Sequence, residues 1–154
     1  MSSSPGTPVL NRPLLVIDTN VVLDLLHFDD AVARPLRLAL EAGRVRCVAS
    51  APTLDELQRV LAYPEFGLDA ARQAVLFARY RALSEAARTV EGCAGLPRCS
   101  DPDDQKFIEL AAAVGAQGLV SKDRAVLKLR RRCAPQFLIM RPDEAVRWLD
   151  GMLV

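Results

Sequence analysis

The chain has 154 residues, 51% of them apolar and 25% charged, with a formal net charge of +1 and a mean hydropathy of +0.13. That length suits one domain with a real core, and the composition excludes a disordered or fibrous chain. The near-neutral charge argues against strong nonspecific polyanion binding by the whole surface, and no apolar run approaches the roughly 18 residues of a membrane span.

Met1 to Pro8 is rich in Ser, Pro and Gly, with neither a basic end nor an apolar centre. Residues 1–12 therefore read as a flexible tail rather than a signal peptide, with a single domain over 13–154 and a cytoplasmic location expected. The run Leu14-Leu15-Val16-Ile17 stops abruptly on Asp18 and is too short for a helix. It suits a strand covered on both faces, with Asp18 at its carboxyl end. Val21 to Phe28 reads as a short buried helix. A second helix is expected over Ala31 to Ala42, with Val32, Leu36 and Leu40 at four-residue spacing and Gly43 as its stop.

Arg44 to Ala49 alternates basic and apolar residues, as a second strand does, and Pro52 to Tyr63 carries Leu54, Leu57, Val60 and Leu61 as a helical stripe. Leu68 to Ala87 gives the longest helical pattern, followed by Thr89-Val90 as a weak third strand and Gly92 to Ser100 as loop. Asp101-Pro102-Asp103-Asp104 opens a helix to Val114, stopped by Gly115. Leu119-Val120-Ser121 is a strand, Ala125 to Arg132 a short basic helix, Phe137 to Met140 a last strand and Pro142 to Leu149 a last helix. Strands alternating with helices predict a mostly parallel sheet of about five strands with helices on both faces.

In such a sheet the strand-to-helix junctions open on one edge, so acids far apart in sequence can meet there. The candidates are Asp18, Glu56, the Asp101 to Asp104 cluster and Asp123. Asp104 prolongs the face of Phe107, Ile108 and Ala111 and is the inward acid of its cluster, whereas Asp103 lies about 100° around the helix and Asp101 borders the cleft. Each acid also has a local explanation. Asp18, Asp101 and Asp123 can cap helices, and Thr53-Leu54-Asp55-Glu56 can form a capping box. What capping does not explain is four acids at successive junctions. Two carboxylates about 4 Å apart repel by roughly 4 kcal/mol at a surface-like dielectric, so a gathered set needs protons or a cation. With oxygen ligands, a lone His27 read as a helix-end residue and no Cys-x-x-Cys pair, the cation expected is Mg²⁺ or Mn²⁺. Cys47, Cys93, Cys99 and Cys133 are expected as reduced packing residues.

Val16-Ile17-Asp18-Thr19-Asn20 resembles the opening motif of PIN-domain nucleases, and Leu54-Asp55-Glu56-Leu57 their second acidic motif. Asp101-Pro102-Asp103-Asp104-Gln105-Lys106-Phe107 is similar to the third and Leu119-Val120-Ser121-Lys122-Asp123 to the fourth, in order from about Leu14 to Leu127. The resemblance implies a three-layer α/β/α sandwich and metal-dependent hydrolysis of RNA phosphodiesters. It makes Asp18, Glu56, Asp104 and Asp123 the acidic quartet that holds one or two Mg or Mn ions, with Asn20 and Ser121 as polar supports. It also implies, as in many bacterial members, the toxin half of a toxin-antitoxin pair held by a small cognate protein. Two departures are Lys122, where a small or polar residue is frequent, and the long Gly92 to Ser100 connection.

Lys106, Lys122 and Arg124 are candidates to contact substrate phosphates, as are Lys128 and Arg130 to Arg132, although a solvated basic helix face is the preferred explanation of the last three and an equal rival for Lys122 and Arg124. The Ala/Leu-rich helix at Leu68 to Ala87 either packs into the core or offers surface for a homodimer or an antitoxin, and the sequence does not choose between them. Three rivals stand beside the nuclease. A haloacid-dehalogenase-like phosphatase wants an aspartate where Asn20 stands. A response-regulator receiver wants an acid pair beside the first strand. A non-cleaving RNA- or protein-binding module on the same fold needs no chemistry at all.

Overall fold

The computed structural model describes residues 12–88 and 95–152, so residues 1–11 of the expected 1–12 tail, Cys93 and the expected strand at Thr89-Val90 lie outside the described residues. Five strands, β1 (Leu14–Ile17), β2 (Arg46–Ala49), β3 (Ser84–Ala86), β4 (Gly118–Val120) and β5 (Leu138–Met140), form one sheet in the order β3-β2-β1-β4-β5. Every pairing is parallel.

The period of two along each strand sorts the core into two halves. Leu15, Ile17, Cys47, Ala49, Val120 and Met140 face one way, toward α1 (Thr19–Leu26), α2 (Arg34–Glu41), α3 (Ala51–Leu61), α4 (Ala70–Leu83) and α8 (Pro142–Met152). Val16, Val48, Leu119 and Ile139 face the other way, toward α5 (Gln105–Val114), α6 (Arg124–Leu127) and α7 (Arg130–Cys133). The result is the three-layer α/β/α sandwich that the alternating pattern and the resemblance predict. Cys47, Cys99 and Cys133 are free and buried in it, as packing residues are. No helix among the described residues is long and apolar enough to cross a membrane.

Local chemistry explains where several elements differ from expectation. The helix expected over 68–87 stops at Leu83, because Ser84 turns to extended geometry and its hydroxyl donates to the Tyr80 carbonyl at 2.9 Å. The chain then pairs with β2, Cys47 opposite Ser84, and Glu85 accepts from both Arg46 Nε and Nη2 at 2.6 and 2.8 Å. An edge strand without a β-branched or aromatic residue is thus held by a neighbour's guanidinium. The basic helix expected over 125–132 is two short helices, since the Leu129 N–H bonds only three residues back, to Val126, and Leu129 drops into the core. The expected second helix begins at Arg34 rather than Ala31, after a turn in which Asp30 accepts from the Ala33 N–H.

Gly118 begins β4 because nothing larger fits. A Cβ there would lie 2.6 Å from Met140 Cε, 3.0 Å from Leu15 Cδ2 and 3.4 Å from the Leu138 carbonyl. Gly118→Ala is expected to destabilise the fold by about 1 to 3 kcal/mol, as overpacking a filled core does. A denaturant midpoint equal to that of the parent protein would show instead that Met140 swings clear.

Candidate metal centre

The sheet changes winding direction at its middle. From β1 the chain steps outward through β2 to β3 and then returns to β4 on β1's other side, so the connections after β1 and β4 diverge and leave a crevice at their carboxyl ends. Ile17 and Val120 are register partners, so the next residues, Asp18 and Ser121, are neighbours across the ladder. The Asp18 N–H bonds the Val120 carbonyl at 3.0 Å. Asp18 occupies the N-cap position of α1, yet its side chain makes no capping bond. Ser121 Oγ instead donates to Asp18 Oδ2 at 2.7 Å and accepts from the Asp123 N–H at 3.0 Å. One hydroxyl therefore ties the two strand ends together. Burial pushes Asp18 up to about 6 and the charges of Glu56 and Asp123 add to it, while the Ser121 bond and the nearby Asn20 backbone N–H oppose it.

The third acidic stretch enters the same crevice through a short 3-10 turn, Pro102–Asp104, that leads into α5. Asp101 caps the turn, accepting from the Asp103 N–H at 3.0 Å, and Asp123 caps α6, accepting from the Ala125 N–H at 2.8 Å. Both acids thus do what capping predicts and still reach the cleft. A carboxylate oxygen from each of Asp101, Asp104 and Asp123 lies within 4.8 Å of the others. Asp104 is 8% exposed, and its Oδ2 is buried without a hydrogen-bond partner. Its carboxyl is pushed up to about 8, by burial first and then by the charges of Asp18, Asp123 and Asp101. Gln105 steadies this approach by accepting from the Cys99 N–H and donating to the Pro97 carbonyl.

Glu56 sits differently. Lys106 Nζ lies 2.6 Å from Glu56 Oε1, and Thr19 Oγ1 donates to Oε2 at 2.5 Å, so both oxygens are engaged. The box at the start of α3 is built by Ser50 and Thr53, not by Thr53 and Glu56, which leaves Glu56 to the cleft side. Among the cations expected near substrate, Lys106 faces Glu56, Lys122 pairs with Asp24 at 2.6 Å, and Arg124 is exposed beside Asp123. Asn20 is exposed and contributes its backbone N–H rather than its amide. Sequence reasoning missed Thr19, Asp24 and Gln105. Asp24 had a signal, a lone acid in the apolar run Val21 to Leu26, whereas Thr19 and Gln105 show their roles only through distance. His27 closes α1, its ring tilted against that of Phe28.

The residues fit a hard divalent cation. Asp101, Asp104 and Asp123 offer oxygen only, one oxygen is orphaned in the interior, and an uncompensated cluster of carboxylates is what such an ion neutralises. Fold and crevice together define a parallel α/β protein of the nuclease kind, its acids gathered where the winding reverses. The chain belongs to the PIN-domain family, whose sequence pattern it matches over residues 14–125, a span that takes in all four acidic junctions. PIN domains are typically nucleases and commonly use divalent metal. No curated protein matches the chain.

Proposed function

We propose that the chain is a divalent-metal-dependent endoribonuclease that uses one or two Mg²⁺ or Mn²⁺ ions to hydrolyse RNA phosphodiesters. The observation that carries this reading is the buried, unpartnered Asp104 oxygen within a set of three carboxylates less than 5 Å apart. Asp104 and Asp123, with Asp101 beside them, are the gathered residues that would hold the ion; Asp18, whose charge acts on Asp104, would complete its shell, and Glu56 acts from the rim. When bound, a divalent ion activates water for attack on phosphorus and neutralises charge on the phosphoryl group. Ser121 orients Asp18 while fixing the loop that carries Asp123, as partners behind a ligand shell do. Lys106 holds Glu56, and Arg124 is placed to meet a phosphate beside the crevice.

The resemblance supports a cytoplasmic toxin of a toxin-antitoxin pair. The outer face of α4, with exposed Ala71, Val75 and Ala78, is a surface that a cognate protein or a second copy would cover. One observation favours a non-cleaving module instead, namely the neutralisation of Glu56 by Lys106. Cleavage decides between the two. A structured RNA is expected to be cut with Mn²⁺ and spared with EDTA. Asp18→Asn is expected to reduce the rate by more than about 100-fold, beyond what loss of a supporting residue costs, with an unchanged circular dichroism spectrum. Undiminished cleavage by that variant removes Asp18 from the mechanism, and metal-independent binding without cleavage by the parent protein replaces the enzyme with the module.

A further inference from the structure

The crevice does not end at Asp123. Arg124 follows it directly, and one strand further out Arg141 follows β5, with the Ser121 N–H bonding the Met140 carbonyl at 2.9 Å to fix the two strand ends side by side. Between them lies an open groove of about 490 Å³ lined by Arg124, Leu127, Lys128, Arg130 and Arg141. Four of its five lining residues are cations, in a chain whose net charge is +1.

Elsewhere many cations are spent on neighbours, such as Arg37 on Asp29 and Glu41, or Arg46 on Glu85. In the groove, Arg130 binds Glu144, and Arg141 lies 3.5 Å from Asp143 and 3.7 Å from Glu144. Arg124 and Lys128 are exposed and form no ion pair among the described residues. Four cations thus face two carboxylates, and one of these, Asp143, is shared with Arg147. A concentrated positive strip on an almost neutral protein, continuous with an acidic crevice, suits a polyanion whose scissile group lies at the acids and whose chain continues across the cations.

We infer that this groove binds the phosphate backbone of a single RNA strand on the β5 side of the scissile bond, with Arg124 and Lys128 as its free contacts and Arg141 at its far wall. The inference rests on the nuclease reading, and it adds the path of the strand. It also explains why substrate approaches a site that is itself negative: the strip attracts the backbone, and the acids then meet one phosphate already in register.

The test is fluorescence-anisotropy binding of a labelled single-stranded 12-nucleotide RNA to Asp104→Asn protein in EDTA, across a range of salt concentrations. Adding Arg124→Ala and Lys128→Ala is expected to weaken binding about 20-fold at 0.1 M salt and to reduce the slope of log affinity against log salt by about 1.4, the value for two lost phosphate contacts on a single strand. Lys128→Glu alone is expected to weaken it further than Lys128→Ala. The control removes equal charge from the opposite layer, through Arg72→Ala and Arg81→Ala on α4, and is expected to leave both quantities unchanged. Equal losses in groove and control variants, or no loss in either, overturn the inference. Because this assay needs neither metal nor turnover, an RNA path that fails while the parent protein still cleaves sinks only the groove, whereas absent cleavage with an intact binding pattern sinks only the nuclease.

Discussion

Asp104→Asn is expected to make the metal-free protein more stable while abolishing its response to metal. The carboxyl it replaces is buried, lacks a partner for Oδ2 and faces Asp101, Asp123 and Asp18. At pH 8 the native state must either hold a proton there or bury an unpaired charge, and both cost free energy that the unfolded chain avoids. An amide carries no charge and can donate to a neighbouring carboxylate. Relief of an uncompensated buried charge is worth about 3 kcal/mol, which raises the melting temperature of a domain this size by about 6 to 12 °C. The check is a pair of thermal melts at pH 8, in EDTA and in Mn²⁺. The parent protein is expected to gain stability with Mn²⁺ and the variant to gain none. A variant that melts below the parent in EDTA would falsify the claim that this carboxylate is held at a cost.

The second large effect is the coupling of metal binding to pH. Asp18 and Asp104 are raised from 3.8 to about 6 and about 8, so between pH 4 and pH 8 the native protein retains protons that the unfolded chain releases. When the native state binds more protons than the unfolded state, stability falls as pH rises. Below about pH 4 both states are protonated and these groups contribute nothing. The metal-free protein is therefore expected to lose stability from pH 5 to pH 8 on their account, and a divalent ion that requires ionised ligands is expected to restore it. At 100 times its dissociation constant such an ion adds about 2.7 kcal/mol. Its stabilisation should be large at pH 8 and small at pH 5, with protons released on binding, as calorimetry in buffers of different ionisation enthalpy would read. Equal stabilisation at both pH values would detach the metal from these two carboxyls.

Much of this arrangement was legible because it lies in spacing. An apolar run that ends on Asp18, an acid cluster that extends the Phe107 and Ile108 face, and a strand that ends near Asp123 locate three junctions without any distance being known. Ser84-Glu85-Ala86 failed to announce a strand because nothing in it favours one by itself. Its pairing depends on Arg46, 39 residues earlier. Nor could periodicity separate a carboxylate that lies open in the cleft from one already held, and that distinction sets Asp104 apart from Glu56. The first has an orphaned oxygen, whereas the second is engaged by Lys106 and Thr19. Asp101 illustrates the same limit, since its capping bond and its place among the clustered acids coexist.

The strand order also dictates when the crevice can exist during synthesis. β1 lies at the centre of the sheet, and its second neighbour, β4, is separated from it by about a hundred residues of intervening chain. A growing polypeptide that has emerged only through β3 has Asp18 and Glu56 but neither Asp104 nor Asp123. The electrostatic penalty of crowding these acids therefore arrives after three of the five strands are already laid down, when hydrophobic contacts behind β1 and β2 can absorb it. Such distant pairing is slow to form, which makes docking of β4 the step at which Asp18 first meets the acids of the later chain.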